Sequence, residues 1–250
     1  MSEQTLNWDG VSVSARTSGQ GTAMILLHSL GGQSDHWQFV QPTLAEAGFR
    51  VTALDLPGHG NSGLPESHFT PRWMGEALAR SLDRPTILVG NSLGGWVALR
   101  AYLSRPEMVL GICLVASAGL KGMPTRPPKM RLNPGQNNLL DTLLQAVFFA
   151  PQHLLPSARE ALMRGIFTPA LLKLVPDGLL YPADLMEIQC PTSIIWGQDD
   201  QILPVTWADQ FARSLPFYKK LVIPRCGHLP QLEHPELFNR ELLAFAKVFQ

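Results

Sequence analysis

The stretch VGNSLGGWVALRAY, residues Val89–Tyr102, places a serine between a short apolar run and an amphipathic segment, with Gly90, Gly94 and Gly95 close to it. Glycine inside regular structure costs about 0.5–1 kcal/mol relative to alanine, so a group of glycines usually marks a backbone path that side chains would block. The pattern G-x-S-x-G around Ser92 follows a predicted strand and opens a predicted helix. It therefore predicts a sharp strand-to-helix turn that holds the serine in a strained conformation, with its hydroxyl lifted out of the sheet.

Apolar runs alternate with helical patterns along most of the chain. The expected strands are Thr5–Trp8, Val11–Arg16, Ala23–His28, Arg50–Leu54, Thr86–Gly90, Val109–Ser117, Thr192–Gly197 and Lys220–Pro224. The expected helices are Trp37–Ala47, Trp73–Leu82, Leu93–Ser104, Val205–Ser214 and Pro235–Phe249. Asp9-Gly10 favours a tight hairpin turn, so the first two strands should form an antiparallel edge. The remaining order predicts a mostly parallel, twisted α/β sheet of about eight strands with helices on both faces.

One long segment, residues 120–186, interrupts this alternation. It starts with the proline-rich stretch KGMPTRPPKMRLNPG and continues as the helix-like pieces NLLDTLLQAVFFA, SAREALMRGIF and PALLKLV. A connection of roughly 65 residues is far too long for an ordinary loop. We therefore expect a helical cap over residues 120–186, inserted into a core formed by residues 1–119 and 187–250.

The composition disfavours several classes of function. Of the 250 residues, 45% are hydrophobic, and 20 basic residues balance 20 acidic ones, so neither nucleic acid nor an anionic membrane is the expected partner. Cys113, Cys190 and Cys226 are widely spaced and odd in number, which indicates reduced structural thiols. The N-terminus MSEQTLNWDG lacks the pattern of a secretory signal, and no apolar run approaches the roughly 20 residues that span a bilayer. We expect a cytoplasmic protein, without membrane insertion, that acts on a small molecule.

A serine hydroxyl is a poor nucleophile at neutral pH and needs a base, which in turn needs an orienting acid. WGQDDQILP, residues Trp196–Pro204, follows one predicted strand, and CGHLPQLEHPE, residues Cys226–Glu236, follows the next. Both segments therefore lie at the carboxyl edge of the sheet, where open α/β sheets place their sites. The chain order of Ser, Asp and His is also the order described for this architecture.

Five stretches, LLHSLGG, DLPGHGNS, GNSLGG, WGQDDQILP and CGHLP, resemble motifs of the α/β-hydrolase superfamily in the family's own order. The resemblance covers nearly the whole chain apart from the insertion. It implies the α/β-hydrolase fold with a helical cap, and chemistry without a cofactor. The histidines and acids show no metal-ligand spacing, so no metal is expected either.

The resemblance also assigns roles to individual residues. Ser92 is the implied nucleophile and His228 the implied general base. The family pattern G-x-x-D-x-x-x-P favours Asp200 as the acid, and leaves Asp199 as an N-cap or turn residue. The implied oxyanion donors are the backbone N–H groups of Leu30 and Leu93.

Other residues near these motifs have structural interpretations. Ser29 occupies a place where the family usually has glycine. His28 should brace its loop through hydrogen bonds, His59 should lie in a structural turn, and His234 should cap a helix or face solvent. Metal binding or catalysis is not expected of these three histidines.

A serine nucleophile implies acyl transfer to water, and a carboxylic ester is the commonest substrate of such a site. Phe148, Phe149, Leu154 and Leu155 make the insertion apolar, so it should supply a pocket for small to medium apolar acyl groups.

Two alternatives stay open for the reaction. Asn91, before the serine, resembles carbon–carbon bond hydrolases of ring-cleavage dienoates, although Leu229 and Leu232 follow the histidine where those enzymes typically carry a tryptophan. Thioesterase, enol-lactonase and cofactor-free perhydrolase chemistry belong to the same group of alternatives. The other alternative is a ligand-binding receptor on the same fold, with slow or incidental hydrolysis.

Overall fold

The computed structural model describes residues 2–67, 69–123, 139–165 and 168–250. The strands are β1 (Ser2–Trp8), β2 (Val11–Ser18), β3 (Thr22–Leu27), β4 (Phe49–Leu54), β5 (Thr86–Asn91), β6 (Val109–Val115), β7 (Thr192–Gly197) and β8 (Tyr218–Ile223). The α-helices are α1 (Gln41–Glu46), α2 (Pro71–Ser81), α3 (Leu93–Ser104), α4 (Leu139–Val147), α5 (Pro156–Gly165), α6 (Ala170–Lys173), α7 (Pro182–Met186), α8 (Thr206–Ser214), α9 (Pro230–Glu233) and α10 (Pro235–Ala246). Short 3-10 helices cover Ser34–Trp37, Pro106–Met108, Pro151–His153 and Lys247–Phe249.

The strands form one sheet in the order β1-β2-β4-β3-β5-β6-β7-β8. The pairs β1–β2 and β2–β4 are antiparallel, and the other pairs are parallel. Asp9 and Gly10 join the first two strands with φ angles of 51° and 90°, the left-handed conformation that a two-residue hairpin turn requires. The prediction of a mostly parallel α/β-hydrolase sheet with an antiparallel start is thereby confirmed.

Helices cover both faces of the central strands. Leu88 of β5 belongs to an apolar cluster with residues of α2, α3 and α8, whereas its neighbours Ile87 and Val89 belong to a cluster with residues of α1 and α10. Successive side chains of a strand point to opposite faces, so each face of β5 has its own core. This double burial explains why the central strands are apolar without alternation.

Two predicted helices are shorter in the structure. The expected helix Trp37–Ala47 is a 3-10 helix, Ser34–Trp37, followed by α1, which has Pro42 in its first turn. The prediction of one helix from the apolar periodicity was wrong because Trp37 and Leu44, both fully buried, belong to two separate elements. The expected helix Pro235–Phe249 ends at Ala246 and continues as a 3-10 helix.

The segment between β6 and β7 departs from the strand–helix alternation, and its described residues 139–165 and 168–186 are called the insertion segment below. It carries α4 to α7. Isolated bridges pair Phe69 with Leu174, and Leu120 with Leu180. Most of the proline-rich stretch Lys121–Gly135 lies outside the described residues. The division of the chain into a core and a cap at residues 120 and 186 stays a prediction.

Candidate active site

Ser92 occupies a strained turn between β5 and α3. Its φ and ψ angles are 52° and −110°, a conformation that costs a non-glycine residue on the order of 1–3 kcal/mol. Two backbone hydrogen bonds hold the turn: the Ser92 N–H donates to Val115 O at 2.9 Å, and the Ala118 N–H donates to Ser92 O at 3.0 Å. The end of β6 therefore fixes the strained residue, whose side chain stays partly accessible.

The glycines around Ser92 allow three close approaches, two to backbone atoms and one to a side chain. A Cβ atom at Gly94 would overlap the carbonyl of Leu27 at the end of β3. A Cβ at Gly90 would overlap the backbone of Gly94, and one at Gly95 would overlap the Ser117 hydroxyl. The turn can form only where side chains are absent, which is the reason for the glycines in the quoted stretch.

His228 and Asp200 form a buried pair at the carboxyl edge of the sheet. His228 Nδ1 lies 2.7 Å from Asp200 Oδ2, and the two side chains are 6% and 0% exposed. The other carboxylate oxygen of Asp200 accepts the N–H groups of Ile202 and Leu203 at 2.8 and 2.9 Å. These donors satisfy the buried carboxylate and orient it toward the imidazole.

Asp199 has a different environment from Asp200. Its backbone N–H donates to Cys226 O at 2.9 Å, and its side chain is less buried than that of Asp200. The structure thus brings Asp200 against His228 and gives Asp199 a place in the turn.

Asn91 joins the serine turn to the histidine. Its buried amide donates to Val115 O at 3.0 Å and to His228 O at 3.2 Å. Gln231, which is fully buried, donates to Asn91 Oδ1 at 3.4 Å. Ser92 and His228 therefore lie in neighbouring turns, although they are far apart in sequence. The sequence contains no signal for Gln231, because its partner lies 140 positions away.

The two expected oxyanion donors lie in adjacent turns. Leu93 is the first residue of α3, so its N–H has no carbonyl partner within the helix. Leu30 lies in a turn closed by the Gly32 N–H, which donates to Ser29 O at 2.9 Å. The close approach permitted by Gly94 holds the start of α3 against the end of β3, from which this turn departs.

His28 and His59 support the Leu30 turn, as expected for structural histidines. His28 Nε2 accepts the Leu56 N–H at 2.8 Å, and its Nδ1 lies 2.7 Å from Ser29 O. His59 Nε2 accepts the Gly31 N–H at 3.2 Å, and the two rings lie edge to face at 4.8 Å. A ring nitrogen that accepts an N–H carries no proton, so both imidazoles are neutral in this arrangement.

These buried histidines make folding stability depend on pH. Burial lowers the pKa of His59 to about 4, and burial together with the neighbouring His59 lowers the pKa of His28 well below its usual value. Below about pH 6.5 the two imidazoles become protonated in the unfolded chain, whereas they stay neutral in the folded chain until the pH approaches their lowered pKa values. We expect the free energy of unfolding to be constant well above pH 6.5 and to fall toward pH 4.5, by up to about 1.4 kcal/mol per pH unit for each histidine.

Urea unfolding at a series of pH values between 7.5 and 4.5 measures this slope. In His59→Gln the unfolding free energy should fall less steeply, because one histidine fewer takes up a proton on unfolding. An unfolding free energy that stays level down to pH 4.5 would contradict the assignment of neutral buried imidazoles.

The insertion segment contacts the loops that carry these groups. The His228 N–H donates to Val147 O at 2.7 Å. A Cβ at Gly165 would overlap the carbonyl of Gly31, next to Leu30. The end of α4 thus meets the histidine loop, and the end of α5 meets the Leu30 turn.

The four apolar residues named from the sequence of the insertion divide into two groups. Phe148 is 1% exposed and packs in a cluster with Leu229 and Leu232, and Leu154 packs against the same cluster. Phe149 and Leu155 are 45% and 56% exposed. The first group joins the insertion segment to the chain after His228, and the second group faces solvent.

The cysteines are buried and form no disulfide. Burial disfavours the thiolate and raises the pKa of Cys113 and Cys190 to about 12. Among the described residues, no group of three His, Cys, Asp or Glu side chains is arranged to hold a metal ion. No helix in the same part of the chain is long and apolar enough to cross a bilayer.

The sequence model of the alpha/beta hydrolase family matches residues 24–241. A dihydrolipoyllysine-residue acetyltransferase component of the acetoin cleaving system, from Pseudomonas putida, is 31% identical over 91% of this chain. The aligned part spans only 64% of that relative's length.

Two further relatives align over most of their own length. A pimeloyl-[acyl-carrier protein] methyl ester esterase from Nitrosomonas europaea is 31% identical, covering 91% of this chain and 96% of the relative. A 2-hydroxy-6-oxo-6-phenylhexa-2,4-dienoate hydrolase from Burkholderia cepacia is 31% identical, covering 96% of this chain and 94% of the relative.

The solved structure of a meta-cleavage product hydrolase from Pseudomonas fluorescens IP01 has the same fold, with a TM-score of 0.82 at 21% identity. The superposition covers 99% of this chain and 98% of that one. The sequence match over residues 24–241, the eight-stranded sheet and the strained serine turn agree with one another. The chain belongs to the alpha/beta hydrolase family.

Proposed function

We propose that the chain is a serine carboxylesterase with Ser92 as nucleophile, His228 as general base and Asp200 as the acid that orients the base. The observation that carries the proposal is the strained serine turn beside a buried His228–Asp200 pair with an Nδ1–Oδ2 distance of 2.7 Å. A nucleophile next to a base that a third group orients is the recurring arrangement of acyl transfer.

The proposed reaction has two steps. Ser92 Oγ attacks the ester carbonyl while His228 Nε2 takes its proton, and the N–H groups of Leu30 and Leu93 stabilise the oxyanion. His228 then gives the proton to the departing alcohol, which leaves an acyl-enzyme. Water, deprotonated by His228, attacks the acyl carbonyl, and His228 then gives this proton to Ser92 Oγ as the bond to the acyl group breaks, which releases the acid and restores both residues. Asp200 keeps the proton of the neutral imidazole on Nδ1 and stabilises the imidazolium that forms.

The proposed substrates are carboxylic esters with small to medium apolar acyl groups. The apolar cluster of the insertion segment that includes Val147 and Phe148 lies next to the His228 loop. The esterase relative from Nitrosomonas europaea acts on an ester, as its name states, and aligns with 91% of this chain. Both observations support acyl transfer at this site.

A series of p-nitrophenyl esters of increasing acyl length tests the substrate proposal. Each buried methylene contributes about 0.8 kcal/mol until the pocket is full, so kcat/KM should rise from acetate to about butyrate or hexanoate and then fall. Ala146→Trp adds bulk beside Val147, whose carbonyl accepts the His228 N–H, and should move the optimum to shorter chains.

The control for this series is Glu46→Trp, an exposed position near the amino end of β4. The optimum should not move in the control. A chain-length profile that is flat in the unchanged chain and in Ala146→Trp would contradict an acyl pocket under the insertion segment.

A second candidate function is hydrolysis of a carbon–carbon bond in a ring-cleavage dienoate. Asn91 favours it, and the dienoate hydrolase from Burkholderia cepacia aligns with 96% of this chain. Against it, Leu229 and Leu232 fill the apolar cluster behind His228 where a tryptophan is typical of those enzymes. Turnover of a 2-hydroxy-6-oxo-dienoate, compared with that of a butyrate ester, separates the two reactions.

A ligand-binding receptor differs from both enzymes in turnover. Rapid multiple turnover of simple esters supports the enzyme, whereas one slow event per protein molecule supports the receptor. Because a receptor on this fold can retain all three triad residues, the kinetics decide between them.

A further inference from the structure

Glu233 bridges the loop that carries His228 and the insertion segment. Its Oε2 accepts the Gly227 N–H at 2.7 Å, and its Oε1 accepts the Ala150 N–H at 2.9 Å. Gly227 directly precedes His228, and Ala150 lies three residues beyond α4. One carboxylate therefore satisfies one N–H donor on each side of this contact.

The neighbouring contacts show how closely the two parts fit. The His228 N–H donates to Val147 O at 2.7 Å, so the peptide groups before and after Gly227 both have partners outside the loop. A Cβ at Gly227 would overlap the Val147 carbonyl, so only glycine permits this approach. The backbone that presents the imidazole is thus held from two directions.

Two carboxylates act on this loop in different ways. Asp200 contacts the imidazole of His228, whereas Glu233 contacts the backbone one residue earlier. Both lie close to the buried Cys226 thiol: burial raises the pKa of that thiol, and the negative charges of Glu233 and Asp200 raise it further. Glu233 is therefore close enough to influence the site while it contacts no group that takes part in the proposed reaction.

We propose that Glu233 is a positioning residue: it holds the backbone of His228 in place and couples it to the insertion segment. This inference rests on the proposed role of His228 as the base. Hydrogen bonds to a charged acceptor are shorter and roughly twice as strong as neutral ones, so a carboxylate suits this task better than an amide. In Glu233→Gln the amide nitrogen must face one of the two N–H donors, and one hydrogen bond is lost.

A comparison of two esters shows whether Glu233 positions His228 or only stabilises the folded chain. A p-nitrophenolate leaves readily without a proton, whereas an alkoxide must receive one from His228 as it departs. A displaced imidazole should therefore slow hydrolysis of an alkyl ester more than hydrolysis of a p-nitrophenyl ester with the same acyl group. A loss of folded protein would lower both rates by the same factor.

The experiment compares Glu233→Gln and Glu233→Asp with the unchanged chain on methyl butyrate and p-nitrophenyl butyrate. Glu233→Asp keeps the charge but is one methylene short of spanning both donors, so it provides a second variant if the glutamine variant folds poorly. Rates are normalised to active sites titrated to completion with a fluorophosphonate, which removes unfolded protein from the comparison. Glu236→Gln, the same change at an exposed residue of α10, is the matched control.

We expect kcat for methyl butyrate to fall about tenfold in each variant, and kcat for the p-nitrophenyl ester to fall about threefold or less. KM should change little, and Glu236→Gln should match the unchanged chain. Equal losses on the two esters, or no loss on either, would overturn the inference while leaving the proposed function intact. If the unchanged chain neither hydrolyses these esters nor takes the fluorophosphonate label, the proposed function fails, and the inference fails with it.

Discussion

Ser92→Ala should abolish ester hydrolysis, with kcat at least about 10⁴-fold below that of the unchanged chain. The variant lacks the proposed nucleophile, Ser92 Oγ, and water in the same place has neither the position nor the activation of the serine hydroxyl. A fluorophosphonate should label the unchanged chain once, at Ser92, and should leave Ser92→Ala unlabelled. Mass spectrometry of the intact protein gives the stoichiometry.

The fold should survive this substitution. Alanine removes only the hydroxyl and keeps the backbone bonds from Ser92 N–H to Val115 and from Ala118 N–H to Ser92. Ser104→Ala, at the exposed end of α3, is the matched control and should keep full labelling and activity. Full labelling of Ser92→Ala would show that another residue is the nucleophile.

Asp200→Asn should lower kcat by about 10³–10⁴-fold while the chain stays folded. The asparagine oxygen can still accept the N–H groups of Ile202 and Leu203, which leaves the amide nitrogen facing His228 Nδ1. Two donors cannot share a hydrogen bond, so the imidazole would adopt the wrong tautomer for a base.

Asp199→Asn is the matched comparison, one residue away in the same turn. Its backbone bond to Cys226 does not involve the side chain, so kcat should change by about threefold or less. The measurement is kcat at saturating ester, normalised to titrated sites, with circular dichroism as the check on folding. The reverse ranking of the two variants would reassign the acid to Asp199.

Much of the fold follows from local chemistry. The central strands are recognisable because both faces of β5 are buried, which leaves polar side chains only at its two ends, Thr86 and Asn91. The serine turn is recognisable because three glycines mark the places where neighbouring atoms leave no room for a Cβ atom. The prediction of one helix from Trp37 to Ala47 was wrong because the spacing of apolar residues reports which residues are buried. Two short elements that bury residues in the same core can produce the same spacing as one helix.

The contacts around the site show the opposite case. Glu233 meets Ala150 across 83 positions, and Gln231 meets Asn91 across 140. Helix α9, which carries both Gln231 and Glu233 just after His228, has four residues and is too short to produce a periodic pattern. The residues of the proposed triad are therefore recognisable in the sequence, whereas Glu233 and Gln231, which contact the loops around them, are not.

Residue order and local patterns thus determine the strand order in the chain, the strained turn and the edge of the sheet at which Ser92, Asp200 and His228 emerge. The period of a strand or a helix sets the direction of a side chain but not its distance from an element elsewhere in the chain. The family pattern favours Asp200 over Asp199, but only the packed structure gives the contact itself, with Asp200 Oδ2 2.7 Å from His228 Nδ1. The same holds for Glu233, whose two N–H partners come together only when the insertion segment packs against the histidine loop.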